Sequence, residues 1–317
     1  MIEALGFFAL GLVLLALGGD SIIKGASGVA QRFGASPFVA GLLLVAFGTS
    51  LPELAVNARA VWTGSQQLAL GNAVGSNVVN IGLTLGLAAL VAPLLVRSRA
   101  LGPLLAWLIG TTLVVIAMGF DGVLTRSEGA LLLVGFVGML AFLLLRARNE
   151  PAELQATIAA YATTRADLAM NLLRVAIAIA LLYFGAKFIV QGAPMVGVSL
   201  GLSPLLTGLL PVAIGTALPE IAAAIAAARR GQGDMVAGHV IGSSLFNLLV
   251  VLGGMAVFRD LPVSASLVRF ELPAALAFAL VLYPMLRSEL QVSKREGGIL
   301  VAAFLAWVLF EICSTTM

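Results

Sequence analysis

Glu53 and Glu220 each stand inside a long apolar stretch, directly after a proline. The segments are Gly48-Thr49-Ser50-Leu51-Pro52-Glu53 and Gly215-Thr216-Ala217-Leu218-Pro219-Glu220. A carboxylate at membrane depth is expensive to keep and marks a functional site by default. Proline has no N–H and clashes with the carbonyl four residues back, so the carbonyls of Gly48 and Gly215 lose their helical donors and the turns around them can open. Free carbonyls, a hydroxyl and a carboxylate form an all-oxygen environment, which suits a hard cation such as Ca²⁺. One copy could equally be a proline kink whose acid stays protonated or pairs with a base. Two copies in the same setting point to a site.

Composition says what kind of elements must hold these acids. Of 317 residues, 61% are hydrophobic and 10% charged, and the mean hydropathy is +1.09. A soluble domain of this length carries far more charge. Apolar runs of about 20 residues recur from end to end, each long enough to cross a bilayer as a helix. The first run has no basic residue before it and leads into Gly18-Gly19-Asp20, so it reads as a retained span rather than a cleaved signal peptide. The single cysteine, Cys313, excludes an internal disulfide framework and thiolate metal clusters. A pI near 9.4 fits membrane topology better than a nucleic-acid partner.

The chain therefore reads as an all-α polytopic membrane protein of about ten transmembrane helices. The expected spans are 4–29, 37–62, 68–92, 102–120, 127–146, 170–196, 204–229, 235–257, 267–286 and 297–314. The polar segment 147–169 divides the chain and reads as a linker rather than a surface helix. An offset of 167 carries the first half onto the second: Gly18 onto Gly185, Gly25 onto Gly192, Ser36-Pro37 onto Ser203-Pro204, and Gly48-Thr49 onto Gly215-Thr216. It also carries Pro52-Glu53 onto Pro219-Glu220, Gly75-Ser76 onto Gly242-Ser243, and Asn80 onto Asn247. The match fades beyond residue 86. Five spans per half is odd, so the halves, 1–146 and 170–317, enter the membrane in opposite senses as two inverted five-helix repeats. Such repeats place a site near the midplane where the halves meet. With the N-terminus outside, 13 basic residues fall in cytoplasmic connections and five outside, which places both termini outside and the linker in the cytoplasm.

Ser36-Pro37 and Ser203-Pro204 have the form of helix starts, serine as N-cap and proline in the first turn. The helix after each acidic motif carries a second polar cluster: Gly71, Gly75, Ser76 and Asn80 in the first half, Gly238, Gly242, Ser243 and Asn247 in the second. Ser76 and Asn80 are four apart and share a helix face, as do Ser243 and Asn247. The glycine pairs let another backbone come close, which alone would make these residues interhelical glue. Repetition beside the acids favours a site. His239, at the position of Asn72 in the first half, reads as a packed, hydrogen-bonded core residue rather than a proton relay. Asp20 and Lys24 are spaced to pair.

These two motifs, their order and the inverted repeat resemble the cation/calcium antiporter superfamily, in particular prokaryotic sodium/calcium exchangers. The resemblance covers nearly the whole chain and is most specific at residues 41–86 and 208–253. It implies that Glu53 and Glu220 are the central ligands of Ca²⁺ and that the carbonyls of Thr49 and Thr216 complete its shell. Flanking Na⁺ sites would use Ser50, Ser243 and the Ala46 carbonyl on one side, and Ser76 with the Ala213 carbonyl on the other. Asn80 and Asn247 would line the middle, and the first and sixth spans would slide as gates. The partners implied are Ca²⁺, Na⁺ and the lipid bilayer, with no cofactor. The sequence departs from the family pattern at Ala217, which stands where the first half has Ser50 and leaves one Na⁺ site without a hydroxyl. It departs again at Asn247, an acid in some relatives, which argues against K⁺ dependence.

Three other readings compete. A Ca²⁺/H⁺ antiporter on the same fold would release protons from Glu53 and Glu220 as Ca²⁺ binds. An intramembrane serine protease would need His239 and Ser243 to act as base and nucleophile, yet they lie four apart on one helix, a poor geometry for that pair. A channel could use paired acids as a filter, but a midplane site between inverted repeats favours a carrier.

Overall fold

The computed structural model describes residues 2–147, 150–162, 166–288 and 291–315. Arg148 and Arg165, two of the bases counted for topology, lie outside them. Ten helices are long and apolar enough to cross a membrane. Five precede the linker: Ile2–Arg32, Val39–Trp62, Gln66–Val91, Leu101–Asp121 and Arg126–Arg146. Five follow it: Leu168–Ser199, Pro204–Arg229, Gly233–Phe258, Leu267–Leu286 and Lys294–Cys313. The third and eighth spans are the most enclosed of the ten and form the centre of the molecule.

Both expected caps form. Ser36 Oγ accepts from the Val39 N–H, and Ser203 Oγ accepts from the Leu206 N–H, each at 3.2 Å. The two acidic helices then diverge. The second span breaks at its motif, where a 3₁₀ turn at Gly48–Ser50 separates Pro37–Phe47 from Leu51–Trp62. The seventh span runs as one α-helix, Ala213–Arg229, through Gly215 and Pro219. Its distortion comes earlier, as a π-helical stretch Gly208–Val212 that contains Pro211. Pro211 has no first-half counterpart, since Leu44 stands there. The donor it removes moves the irregularity upstream. The opening expected at Gly215 is thus found only at Gly48. The third and eighth spans widen into π-helix at matching places, Val79–Leu85 and Asn247–Leu252.

The repeat relation extends beyond residue 86. Four two-residue strands, β1 (Leu94–Leu95), β2 (Val123–Leu124), β3 (Leu261–Pro262) and β4 (Gln291–Val292), pair antiparallel as β1 with β4 and β2 with β3. The offset of 167 carries β1 onto β3 and β2 to within one residue of β4. Exchanging the halves therefore maps one ribbon onto the other, at opposite faces of the molecule, as inverted topology requires.

The first and sixth spans lie against each other along glycines seven residues apart. A Cβ on Gly11, Gly18 or Gly25 would come within 3.0 Å of Ile189, Leu182 or Val175. Gly185 and Gly192 face Leu15 and Ala4 as tightly. Small residues are what let helices approach this closely in a membrane.

The segment read as a linker contains a helix, Ala152–Ala162, packed on the second span. Its anchor is Glu150, a buried carboxylate that accepts from Ser98 Oγ (3.0 Å), the Arg99 N–H (3.3 Å) and the Ala100 N–H (2.9 Å). These N–H groups lie at the start of the fourth span, where donors lack helical acceptors; the Ala100 N–H also reaches Ser98 Oγ at 3.3 Å. The helix breaks the symmetry of the halves. On the opposite face, Gly71 and Gly75 of the third span meet the backbone of Leu205 and Leu209, and Gly208 meets that of Leu68, leaving no room for a Cβ. On the linker face the counterparts are apart. Gly41 meets the backbone of Ile158 in the linker helix, and Gly238 has nothing nearer than Leu101 at 3.7 Å.

Candidate cation-binding site

The acidic motifs and the polar clusters converge where the second, third, seventh and eighth spans cross. Glu53 and Glu220 are 2% and 5% exposed and lie close enough to repel each other. The Thr216 hydroxyl donates to the Ala213 carbonyl oxygen at 3.3 Å. Ser50 hydrogen-bonds Ser243 across the two halves, and Asn80 Nδ2 donates to Ser243 Oγ at 3.2 Å. Asn247 Nδ2 donates to Asn77 Oδ1 at 3.3 Å. Ala46 lies in the helix just before the Gly48 break.

Five buried oxygens at this crossing have no hydrogen-bond partner among the described residues: Glu53 Oε2, Glu220 Oε1, Ser76 Oγ, Asn80 Oδ1 and Asn247 Oδ1. A buried acceptor without a donor costs about 1–3 kcal/mol, more when charged. Among the described residues no lysine or arginine forms an ion pair with either acid. Two buried acids with unpaired oxygens around them and no lysine or arginine against them offer the oxygen donor set that a hard cation takes.

His239 is buried and hydrogen-bonded, as expected of a packed core residue, and its ring faces the acidic motifs. Its Nδ1 lies 3.0 Å from Thr49 Oγ1 and its Nε2 lies 3.6 Å from Glu220 Oε2. The sequence signal was its place one turn before Ser243, at the position of Asn72. Asn72 instead donates to Asn57 Oδ1 at 2.9 Å, so the first half has no equivalent contact. Ser243 bonds Ser50 and Asn80, so His239 and Ser243 do not form a base–nucleophile pair. Asn77 was also missed; it belongs to the same polar cluster, but its counterpart is Ser244. Asp20 and Lys24 pair at 2.7 Å, exposed as expected for neighbours on a helix.

Two cavities border the acidic motifs on the linker side; one includes Glu220, and neither includes Glu53. One of about 160 Å³ is lined by Leu15, Asp20, Thr49, Thr216, Pro219 and Glu220. The other, about 60 Å³, is bounded by Thr49, Ala227, Met235 and His239. A cavity of about 340 Å³ on the opposite face, at Ser65, Gln66, Pro194 and Thr207, includes neither acid.

The family model for the sodium/calcium exchanger protein matches residues 3–145 and 153–313. The chain belongs to the sodium/calcium exchanger family. It is 35% identical to the putative antiporter CaxA of Alkalimonas amylolytica over 97% of this chain and 98% of that protein. It is 33% identical to the inner membrane protein YrbG of Escherichia coli (97% and 96%), and 28% identical to the sodium/calcium exchanger MaX1 of Methanosarcina acetivorans (96% and 97%). A solved structure of the sodium-calcium exchanger NCX_Mj superimposes with a TM-score of 0.68 at 29% identity, over 97% of this chain and 98% of that one. This exchanger is a multi-pass membrane transporter, a cation/Ca²⁺ antiporter by family, and not an enzyme.

Proposed function

We propose that this exchanger trades Ca²⁺ for Na⁺ by alternating access at the crossing of its acidic helices. The observation that carries the reading is the pair Glu53 and Glu220, brought together from equivalent repeat positions with unpaired oxygens around them and no arginine or lysine against them. Two carboxylates balance one Ca²⁺, held with Thr49 and Thr216. Na⁺ would occupy Ser50, Ser243 and the Ala46 carbonyl on one flank, and Ser76 with the Ala213 carbonyl on the other, beside Asn80 and Asn247. Ions that share oxygens exclude one another, and that competition is the basis of exchange. Halves 1–146 and 170–317 would rock about the site, with 147–169 joining them on the cytoplasmic side.

One observation favours a second reading, Ca²⁺/H⁺ exchange. Ala217, buried where Ser50 stands in the other half, offers no hydroxyl to an alkali cation. Radiolabelled Ca²⁺ uptake into vesicles under imposed Na⁺, K⁺ and pH gradients separates the two. Uptake driven by Na⁺ and indifferent to K⁺ supports the first, whereas uptake driven by the pH gradient alone replaces it with the second.

A further inference from the structure

We infer that the central site also takes divalent transition-metal ions with an affinity for imidazole, of the Co²⁺ and Zn²⁺ class, and that His239 Nε2 is their nitrogen ligand beside Glu220. The inference rests on the reading of Glu220 as a cation ligand. Its geometric basis is the separation of His239 Nε2 from Glu220 Oε2, 3.6 Å. That is wider than a hydrogen bond, whose N···O distance is about 2.7–3.2 Å. Two ligands each about 2.1 Å from one tetrahedral ion stand roughly 3.4 Å apart. The nitrogen and the carboxylate oxygen are thus spaced as ligands of one small ion.

The other ring nitrogen is positioned to support this. Nδ1 lies 3.0 Å from Thr49 Oγ1. With the Thr49 hydroxyl accepting the Nδ1 proton, the tautomer is fixed and the Nε2 lone pair is directed at Glu220. A ligating histidine commonly gives its other N–H to an oxygen that orients the ring. His239 also borders the linker-side cavity together with Thr49, so an ion entering there meets the imidazole. Carboxylates and hydroxyls alone favour hard ions, and an added imidazole shifts preference toward Co²⁺ and Zn²⁺. The first half has Asn72 at the matching position, turned to Asn57, so the nitrogen is on one side of the site only.

The test uses the full chain, purified without a histidine tag, in proteoliposomes, with Co²⁺ as the probe. Co²⁺ is expected to compete with radiolabelled Ca²⁺, and the ratio of Co²⁺ to Ca²⁺ affinity is expected to fall at least tenfold in His239→Asn. X-ray absorption at the cobalt edge should show imidazole outer-shell scattering in the unaltered protein. His239 is the only histidine in the sequence, so that signature has one source. The absorption measurement needs no variant and decides the matter even if His239→Asn fails to fold. An unchanged affinity ratio, or bound Co²⁺ without imidazole scattering, overturns the inference: His239 then donates Nε2–H to Glu220 and orients it only. Ca²⁺ binding that survives in Glu220→Gln would overturn the underlying site reading instead, and is read in a separate arm.

Discussion

Ser50 and Ser243 hydrogen-bond across the halves, and the repeat relation maps that pair onto Ala217 and Ser76. Ala217 has no hydroxyl to give, and Ser76 Oγ is buried without a partner among the described residues. The departure seen in the sequence is therefore the cause of an orphaned atom in the structure. Replacing Ala217 with serine supplies an oxygen at the flank where Ser76 and the Ala213 carbonyl would hold Na⁺. A hydrogen bond or ligand contact to a charged species is worth about 1.5–3 kcal/mol. Ala217→Ser is expected to lower several-fold the Na⁺ concentration that displaces Ca²⁺ and to steepen its Na⁺ dependence. An unchanged midpoint and slope in the competition assay would remove position 217 from any Na⁺ site. The acids themselves have a harsher expectation. Glu53→Gln or Glu220→Gln keeps shape and hydrogen-bonding capacity but removes a charge, so Ca²⁺ flux should fall to background while the protein still elutes as a single folded species. Normal flux in both variants would place the Ca²⁺ site elsewhere.

At the scale of elements, local chemistry was legible and long-range accommodation was not. The Ser-Pro starts could be read because a cap depends on four adjacent residues. The break at Gly48 followed from Pro52 alone. The same rule failed at Gly215 because Pro211, four residues upstream, had already displaced the irregularity. His239 is the buried, hydrogen-bonded residue the sequence indicated, but its partners could not be read, because Thr49 and Glu220 lie on other helices and only the fold brings them together. The linker helix was missed for a related reason: eleven residues make a marginal helix in isolation. It forms here on the second span, held by Glu150. Glu150→Ala should release the N–H groups of Arg99 and Ala100, at about 1–3 kcal/mol for the buried donors. Amide exchange across 152–162 should then accelerate by roughly tenfold or more, with the rest of the first half little changed. Equal protection in both proteins would show that packing on Gly41, not the carboxylate, holds the helix.

For the whole molecule, the repeat implies two conformations related by exchanging the halves, and the structure has the features of one of them. The third and seventh spans interlock through Gly71, Gly75 and Gly208 on the face away from the linker, while Gly41 is held off the eighth span by Ile158. Both cavities that border Thr49 lie toward the linker side, and one of them includes Glu220. From the basic asymmetry of 13 to five we propose that this half faces the cytoplasm. On that proposal, geometry and charge asymmetry together read as the inward-facing state. Ala227 tests both, because it borders the cavity beside His239, on the proposed cytoplasmic side. In a Cys313→Ser background, Ala227→Cys should resist an impermeant thiol reagent in intact cells and react with it in inside-out vesicles. Ca²⁺ should slow that reaction if the cavity, which borders Thr49 and His239, lies on the ion path to Glu53 and Glu220. Rapid labelling from outside intact cells would reverse the orientation. Labelling from the cytoplasmic side at a rate indifferent to Ca²⁺ would separate the cavity from the ion path, leaving the linker helix with no part in access to the site.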